Sequence, residues 1–328
     1  MGMRKQRVTI REVAKLAGVS TGTVSRVLNG RPGVHPQTRA RVLEVVRALG
    51  YVPNPVAREL TGRGERTVGV LQLPGVPRLT PYFTLLYEYL ADALWQEGFR
   101  LREVPTDPVG LPLEPAKGYI LLGAHEHDPR LEYLQEHGQA FVLVGVYPGV
   151  FWVAPHDEEG GYLATRHLLE LGHREILHLT GHLHNQAGRD RLAGYRRALE
   201  AYGVPFRSEL VLDGEFSVLA AYRTLRRAWE GGLRFTAIFA ASDEMAVGAR
   251  AALEDLGLKV PQDVSLVGYD DLPEIGEGLT TVRQDIRRVA HTAVRLLGEA
   301  FEGRSPRGER VPVQLVVRQS TARKGVKP

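Results

Sequence analysis

The sequence predicts a small all-α headpiece followed by an α/β core built on doubly wound parallel sheets. Three observations carry that prediction. Residues 8 to 62 (VTIREVAKLAGVSTGTVSRVLNG through GYVPNPVARELTG) show short helical periodicities with caps and a tight turn between them. Basic charge is concentrated there: residues 1 to 66 hold 13 Lys+Arg against 4 Asp+Glu, leaving 29 against 34 for the rest of the chain. From residue 67 onward, short apolar runs alternate with helix-period segments, the pattern of strand, helix, strand repetition.

In the headpiece, Thr9-x-x-Glu12 is a capping box, and Ile10, Val13, Ala14 and Ala17 give the first helix one apolar face. Gly18 stops it. Ser20 caps a second helix over 21 to 29, in which Val24, Val27 and Leu28 point inward while Thr21, Gly22, Ser25 and Arg26 point outward. The Gly-containing connection Ala17-Gly18-Val19-Ser20 makes the pair a helix-turn-helix, and small polar residues plus Arg suit a major groove. A basic surplus confined to a small leading domain is the electrostatic footprint of phosphate binding. Asn54-Pro55-Val56-Ala57-Arg58-Glu59-Leu60 carries an N-cap and a first-turn Pro but spans barely two turns, so it is helical only with outside support.

A boundary falls near residue 63, after the polar, glycine-bearing Thr61-Gly62-Arg63-Gly64-Glu65-Arg66. Strands are expected at 67 to 73, 99 to 104, 118 to 122, 141 to 146, 175 to 180, 235 to 240, 263 to 268 and 311 to 318. Helices are expected at 82 to 97, 129 to 137, 159 to 171, 189 to 202, 217 to 230, 243 to 256 and 286 to 302. Ligands of such sheets bind beyond the carboxyl ends of the strands, which directs attention to the loops that follow them. The length behind the headpiece suffices for one or two α/β lobes with real cores. There are no cysteines, which excludes disulfides, thiolate zinc sites and cysteine nucleophiles and fits a reducing cytoplasm. The leading MGMRKQRVTIREV lacks the apolar core of a signal peptide. The most apolar run, 141 to 155, is broken by Gly145, Pro148 and Gly149, too short and interrupted for a membrane span.

The headpiece resembles that of the lactose-repressor/galactose-repressor family of bacterial transcription regulators. The likeness rests on V-T-I-x-x-V-A-x-x-A-G-V-S-x-x-T-V-S-R-V-L-N-G, T-R-x-x-V and G-Y-x-P-N-x-x-A-R-x-L. The resemblance implies base reading by Thr21, Gly22 and Arg26, with Gly22 unable to hydrogen-bond, so that readout leans on Thr21 and on an Arg26–guanine contact. Thr9, Ser20, Ser25, Asn29 and Asn54 are the further DNA-contact positions it implies. Residues 54 to 63 match the family's hinge helix and linker, with Leu60 as the wedge between central base pairs and Ala57 beside it in the minor groove.

The likeness continues through Glu-Glu-Gly-Gly-Tyr-Leu-Ala-Thr, Arg-Leu-Ala-Gly-Tyr, Ser-Asp-Glu-Met-Ala, Val-Gly-Tyr-Asp-Asp and Leu-Thr-Thr-Val-x-Gln-Asp, which implies the two-lobed core shared with periplasmic sugar-binding proteins. On that likeness the chain divides into a headpiece (1–53), a hinge and linker (54–63) and a core (64–328). The near lobe takes 64–171 and 286–316, and the far lobe 172–285 and 317–328. Effector contacts would come from Glu159, Arg191, Ser242 and Asp270, with Tyr82 and Phe83 as an apolar wall. A sugar suits such a set, since acidic and Arg side chains bind hydroxyls and aromatic faces pack on the ring. The implied protein is a homodimer on palindromic operator DNA, controlled through the cleft by a small, sugar-like effector. It has no cofactor and no membrane association, and sits in the cytoplasm with the nucleoid. The alternative is a cytoplasmic small-molecule-binding protein whose main role is sugar or nucleobase sensing with a corepressor in place of an inducer, so whether the ligand releases or recruits DNA binding stays open.

Two stretches depart from the family pattern. Pro105 to Pro115 holds four prolines in eleven residues, so the helix usual there cannot form. Leu73 to Pro81 replaces the usual polar loop, which points away from a common hexose. His125-x-His127 and His182-x-His184 each follow an expected strand, one in each lobe, and would face the same cleft, as hydrogen-bonding groups, as solvated side chains or as a divalent-metal clamp. Rival readings are weaker. Gly18-Val19-Ser20-Thr21-Gly22 fits G-x-S-x-G but joins two helices with no preceding strand, and no Gly-rich phosphate loop is present, so an enzyme has no support. A transport binding protein would explain the lobes but not the headpiece.

Overall fold

The computed structural model describes residues 9–28, 34–49, 66–74, 80–125, 127–273, 275 and 277–325. It separates into two compact units, one ending at Glu65 and the other beginning at Arg66. In the first, α1 (Ile10–Ala17), α2 (Thr21–Leu28) and α3 (Pro36–Leu49) enclose Val13, Ala14, Ala17, Val24, Val27 and Val42. The capping box forms as expected: the Glu12 carboxylate accepts from the Thr9 backbone N–H at 2.6 Å and from its hydroxyl at 3.0 Å. Gly18 takes the left-handed conformation (φ 61°), which lets its N–H close on the last carbonyls of α1 and turns the chain into α2.

The second unit contains two six-stranded sheets. The chain enters the first lobe with β1 (Thr67–Gln72), α4 (Pro81–Gln96), β2 (Arg100–Glu103), β3 (Gly118–Leu122), α5 (Pro129–Glu136), β4 (Phe141–Val144) and β5 (Trp152–Pro155). It then crosses to the second lobe for α6 (Asp157–Glu170), β6 (Ile176–Thr180), α7 (Gln186–Ala201), β7 (Val211–Asp213), α8 (Val218–Glu230), β8 (Ala237–Ala240), α9 (Asp243–Asp255), β9 (Ser265–Asp270) and β10 (Thr280–Gln284). A second crossing returns it to the first lobe for α10 (Ile286–Phe301) and β11 (Gly308–Val311), and a third, at Pro312, delivers β12 (Val313–Val316) to the second. The sheet orders are β11-β5-β4-β3-β1-β2 and β12-β10-β9-β8-β6-β7. Both are parallel throughout except for β12, which runs antiparallel to β10.

Two expected lobe boundaries move. α6 belongs with the second lobe, because Ala164, Leu168 and Leu169 pack with Ile176, Leu192 and Tyr195. The first crossing therefore lies between Pro155 and Asp157 and not at residue 171. The run 311 to 318, read as one strand, is divided by Pro312, which has no N–H to donate to a ladder, so β11 and β12 join different sheets. The Pro-rich segment behaves as its composition requires. Residues 104 to 117 contain no helix, and Asp107 Oδ1 accepts from the Val109 and Leu111 N–H groups at 3.0 and 2.8 Å to close a compact loop.

Two layers of helix cover each sheet's apolar faces. In the first lobe α4 and α10 bury Leu86, Leu90, Val289, Ala293 and Leu297 against Val68, Ile120 and Val142. In the second, α8 and α9 cover one face around Leu177, Ile238 and Leu266. α6 and α7 cover the other around Phe239, Val267 and Tyr269. Burial on both faces explains why these strands read as continuous apolar runs instead of alternating ones.

Candidate effector site and nucleic-acid interface

The site begins with how closely α6 and α7 approach. A Cβ at Gly161 would lie 2.2 Å from the Arg191 carbonyl oxygen, and one at Gly194 would lie 2.0 Å from the Glu158 carbonyl oxygen. Only glycine permits that spacing, and it sets Arg191, on α7, against Asp157, the first residue of α6. The Arg191 Nε donates to Asp157 Oδ1 at 2.8 Å, and Nη2 lies 2.8 Å from the same oxygen. Nη1 donates to the Ala241 carbonyl at 2.5 Å and stands 3.7 Å from Asp270 Oδ1. The guanidinium lies 3.7 Å from the Tyr269 ring centroid and 5.9 Å from that of Phe216. Five N–H groups with these partners leave the Nη edge beside Asp270 able to take a further acceptor.

Asp270 closes the set from the end of β9. It adopts φ 115°, a conformation few L residues hold, and Gln284 Nε2 donates to its Oδ1 at 2.5 Å. Burial pushes its carboxyl well above the usual carboxylate range, with Arg191 opposing and Asp243 and Glu244 adding to the rise. Burial likewise raises Asp243 to about 6 and Glu244 to about 7. The site thus offers a guanidinium that donates next to carboxyl oxygens that accept, a mixture suited to hydroxyl groups. Gln284 Oε1 is buried with no hydrogen-bond partner among the described residues. A cavity of about 530 Å³ opens beside this set at the second and third crossings, lined by Asp270, Gln284, Arg283, Leu85 and Tyr89 but not by Arg191, Asp157, Tyr82 or Phe83. Ligand pockets have that scale.

The first lobe contributes Tyr82 and Phe83 from the opening turn of α4, with ring centroids 5.4 Å apart in an edge-on arrangement. Burial, then Asp270, raise the Tyr82 phenol far above its ordinary value while Arg191 opposes, so Tyr82 lies within electrostatic reach of the charged set of the other lobe. Sequence reasoning therefore finds Tyr82, Arg191 and Asp270 brought together. Ser242 is adjacent and buried, but its hydroxyl caps α9 by accepting from the Met245 N–H at 3.1 Å. Glu159 is not brought in. It points outward, about half exposed, and pairs with Arg197, which also takes Glu158. Two residues along a helix turn the side chain by about 200°, so the acid that meets Arg191 is Asp157. Asp157, Phe216 and Gln284 were missed. The one local signal for Asp157 was an acid at the first helical position after a strand, and Gln284 stood unremarked inside the Leu-Thr-Thr-Val-x-Gln-Asp run.

The histidines of both lobes meet in part. His125 lies 5.7 Å from His184, and His184 stacks 4.9 Å from His182, whose Nδ1 is 3.6 Å from Asp213. His127 is exposed, and among the described residues no group of three His, Asp or Glu is placed to hold a metal ion.

In the headpiece, Thr9, Ser20, Thr21, Gly22 and Arg26 are exposed. Ser20 caps α2, its hydroxyl accepting from the Thr23 N–H at 3.1 Å. A Cβ at Gly22 would meet nothing nearer than the Ser20 hydroxyl at 3.6 Å, so packing does not demand glycine there. The Ser25 side chain, Asn29, Asn54, Ala57 and Leu60 lie outside the described residues.

Comparison with known proteins bears on both parts. The model described as bacterial regulatory proteins, lacI family, matches residues 9–54, and that of the periplasmic binding protein-like domain matches 165–321. The HTH-type transcriptional regulator CelR of Thermobifida fusca is 35% identical over 97% of this chain and 99% of its own. Among solved structures, a transcriptional regulator CelR–cellobiose complex superposes with a TM-score of 0.72 at 32% identity, covering 96% of this chain and 100% of that one. A lac repressor dimer bound to operator and the anti-inducer ONPF gives 0.69 at 27% identity, covering 97% and 100%.

Proposed function

Because the chain belongs to the lacI family of bacterial regulatory proteins, and is a transcription regulator and not an enzyme, we propose that it represses transcription as a homodimer on a palindromic operator, with a neutral sugar in the interlobe cleft controlling its affinity. The observation that carries the effector reading is the buried Asp157–Arg191–Asp270 set of one lobe, with Tyr82 of the other lobe within its electrostatic reach. A ligand held by both lobes binds one lobe angle better than others, and only such differential affinity shifts a conformational equilibrium. In this reading Arg191 and Asp270 hold sugar hydroxyls, Asp157 orients Arg191, Tyr82, Phe83 and Phe216 pack on the ring, and Gln284 Oε1 accepts a hydroxyl proton. Ser242 shapes the floor from its cap position. The relative solved with cellobiose supports a carbohydrate.

In the headpiece Thr21 and Arg26 read bases while Thr9, Ser20, Ser25, Asn29 and Asn54 touch the backbone, with Ala57 and Leu60 in the minor groove. Support for a dimer comes from the relative solved as one on operator and from Val218, Leu219 and Val247, 41 to 53% exposed where α8 meets α9. The protein acts in the cytoplasm at the nucleoid. Among the described residues no helix is long and apolar enough to cross a membrane. Thermal unfolding of the full chain against a panel of neutral sugars that includes cellobiose tests the effector reading. A ligand at 100 times its Kd stabilises by about 2.7 kcal/mol, and Asp270→Asn should abolish the gain. Stabilisation that survives Asp270→Asn, or none from any sugar, contradicts it.

A further inference from the structure

Four of the six strands in the first lobe's sheet start on a cation or directly after one: Arg66 precedes β1, Arg100 opens β2, Lys117 precedes β3 and Arg307 precedes β11. In the second lobe's sheet no strand starts on or directly after a basic residue, and β6 follows Glu175. The parallel register sets Arg100 beside Thr67 and Gly118 beside Val68. Lys117, Arg66 and Arg100 therefore stand side by side along one edge of the sheet, their backbones spread over about 10 Å at the usual strand spacing.

Among the described residues no carboxylate pairs with Arg66 or Arg100. The Arg66 guanidinium instead lies 6.0 Å from the Phe99 ring, and that of Arg100 5.9 Å from the Trp95 ring. The Lys117 ammonium is 5.9 Å from Phe301, which stacks on Phe99 at 5.4 Å. A ring holds a cation in place without cancelling its charge. Other arginines nearby are spoken for: Glu114 and the Pro115 carbonyl take Arg102, and Glu299 and Glu309 take Arg307. Of the neighbouring acids, Glu97 is exposed just beyond α4 and Glu302 pairs with Arg304. Arg66, Arg100 and Lys117 are exposed, and Trp95, at 68%, has the most open large apolar side chain among the described residues.

We propose that this edge is a second DNA-contacting surface, which lays Arg66 and Arg100 against the phosphate backbone of the duplex that the headpiece holds. Two observations choose that occupant. The chain that leads from the headpiece enters the core at Arg66, on this edge. The rest of the core is acidic, residues 67 to 328 holding 29 Lys+Arg against 34 Asp+Glu, so its approach to a polyanion is opposed everywhere except where cations gather without counter-charge. Contacts of this kind hold the protein on the duplex and read no sequence. The inference rests on DNA binding by the headpiece and is independent of the effector, whose proposed contacts Tyr82 and Phe83 follow β1 at the opposite edge of the sheet.

Each phosphate neutralised steepens the fall of log affinity with log salt by about 0.9. The test measures fluorescence anisotropy of the full chain on the duplex it selects from a random pool, across a potassium chloride series. Arg66→Gln combined with Arg100→Gln should make the slope shallower by about 2 per protomer and weaken binding at least about tenfold near 0.1 M salt. Both side chains are exposed, so this variant should keep the wild-type urea midpoint. Arg66→Lys with Arg100→Lys keeps the charge and should keep the slope. Arg196→Gln with Arg234→Gln removes the same charge from ring-seated arginines of the second lobe and should leave the slope as it is. An unchanged slope in the Arg66 and Arg100 glutamine variant overturns the proposal. So does an equal loss in the Arg196 and Arg234 variant, which would make net charge the cause. A wild-type chain that binds no duplex overturns the headpiece reading as well, whereas wild-type binding matched by the glutamine variant confines the failure to this edge.

Discussion

Removing the Arg191 guanidinium leaves Asp157 with no cation in a site where both side chains are about 6% exposed. Breaking a buried pair from one side costs about 3 to 5 kcal/mol, and replacing both partners with apolar groups costs far less. Arg191→Ala should therefore lower the urea midpoint strongly, and Arg191→Met combined with Asp157→Leu should recover most of the loss while remaining blind to effector. His178 gives a second test. It is fully buried between Tyr195 and Phe239, its Nδ1 on the Phe239 carbonyl at 3.0 Å and its Nε2 without a partner among the described residues. Burial lowers its pKa from 6.5 to about 4. The unfolded chain takes up this proton first, so stability falls as pH drops from 6.5 to 4, by roughly 3 kcal/mol from this group. Denaturant titrations of His178→Phe should lack that share of the acid loss. In the headpiece, Arg26→Ala should cost roughly 1 to 3 kcal/mol and relax one operator position, read by anisotropy across operator variants. At this scale the side chains proposed to hold the effector, Arg191 and Asp270, are legible as candidates, and the structure sets them beside one another. The choice between Asp157 and Glu159 is not legible, because the phase of a helix depends on where its first turn begins, and the acid run Asp157-Glu158-Glu159 allows more than one start.

Elements were legible wherever periodicity and caps agreed, as in α1, α4, α9 and α10, each found within about a turn of its expected span. Three strands escaped notice. β5 and β7 have only 4 and 3 residues, and β10 opens with Thr280 and Thr281, whose hydroxyls are satisfied by Asp243 and the C-terminal segment. Such strands are specified by neighbours in the sheet more than by their own apolar pattern. The contact between α6 and α7 yields a prediction of its own. Gly161→Ala places a methyl 2.2 Å from backbone oxygen that cannot swing away, so the helices must part. The expected cost is about 1 to 3 kcal/mol, as overpacking usually gives, accompanied by weakened effector binding because Asp157 and Arg191 move apart. Loss of stability with unchanged effector affinity would detach the site from the helix spacing.

For the whole molecule, the sequence announced a basic front unit and an α/β body, and both are present as separate compact units. The places where the chain passes between lobes were misjudged at residues 171 and 316. A lobe boundary is a property of which sheet a strand joins, and Pro312 alone decides that between β11 and β12. Three crossings make a joint that a cleft ligand can set, and setting it matters only if the headpieces respond. The most direct test measures the affinity of the full chain for its selected palindromic operator and for unrelated duplex at one salt concentration, with and without the sugar that stabilises it. The account predicts a preference of at least about a thousandfold for the operator, changed at least about tenfold by the sugar and unchanged by it in Asp270→Asn. Equal, salt-sensitive binding to every duplex, indifferent to the sugar, would contradict it.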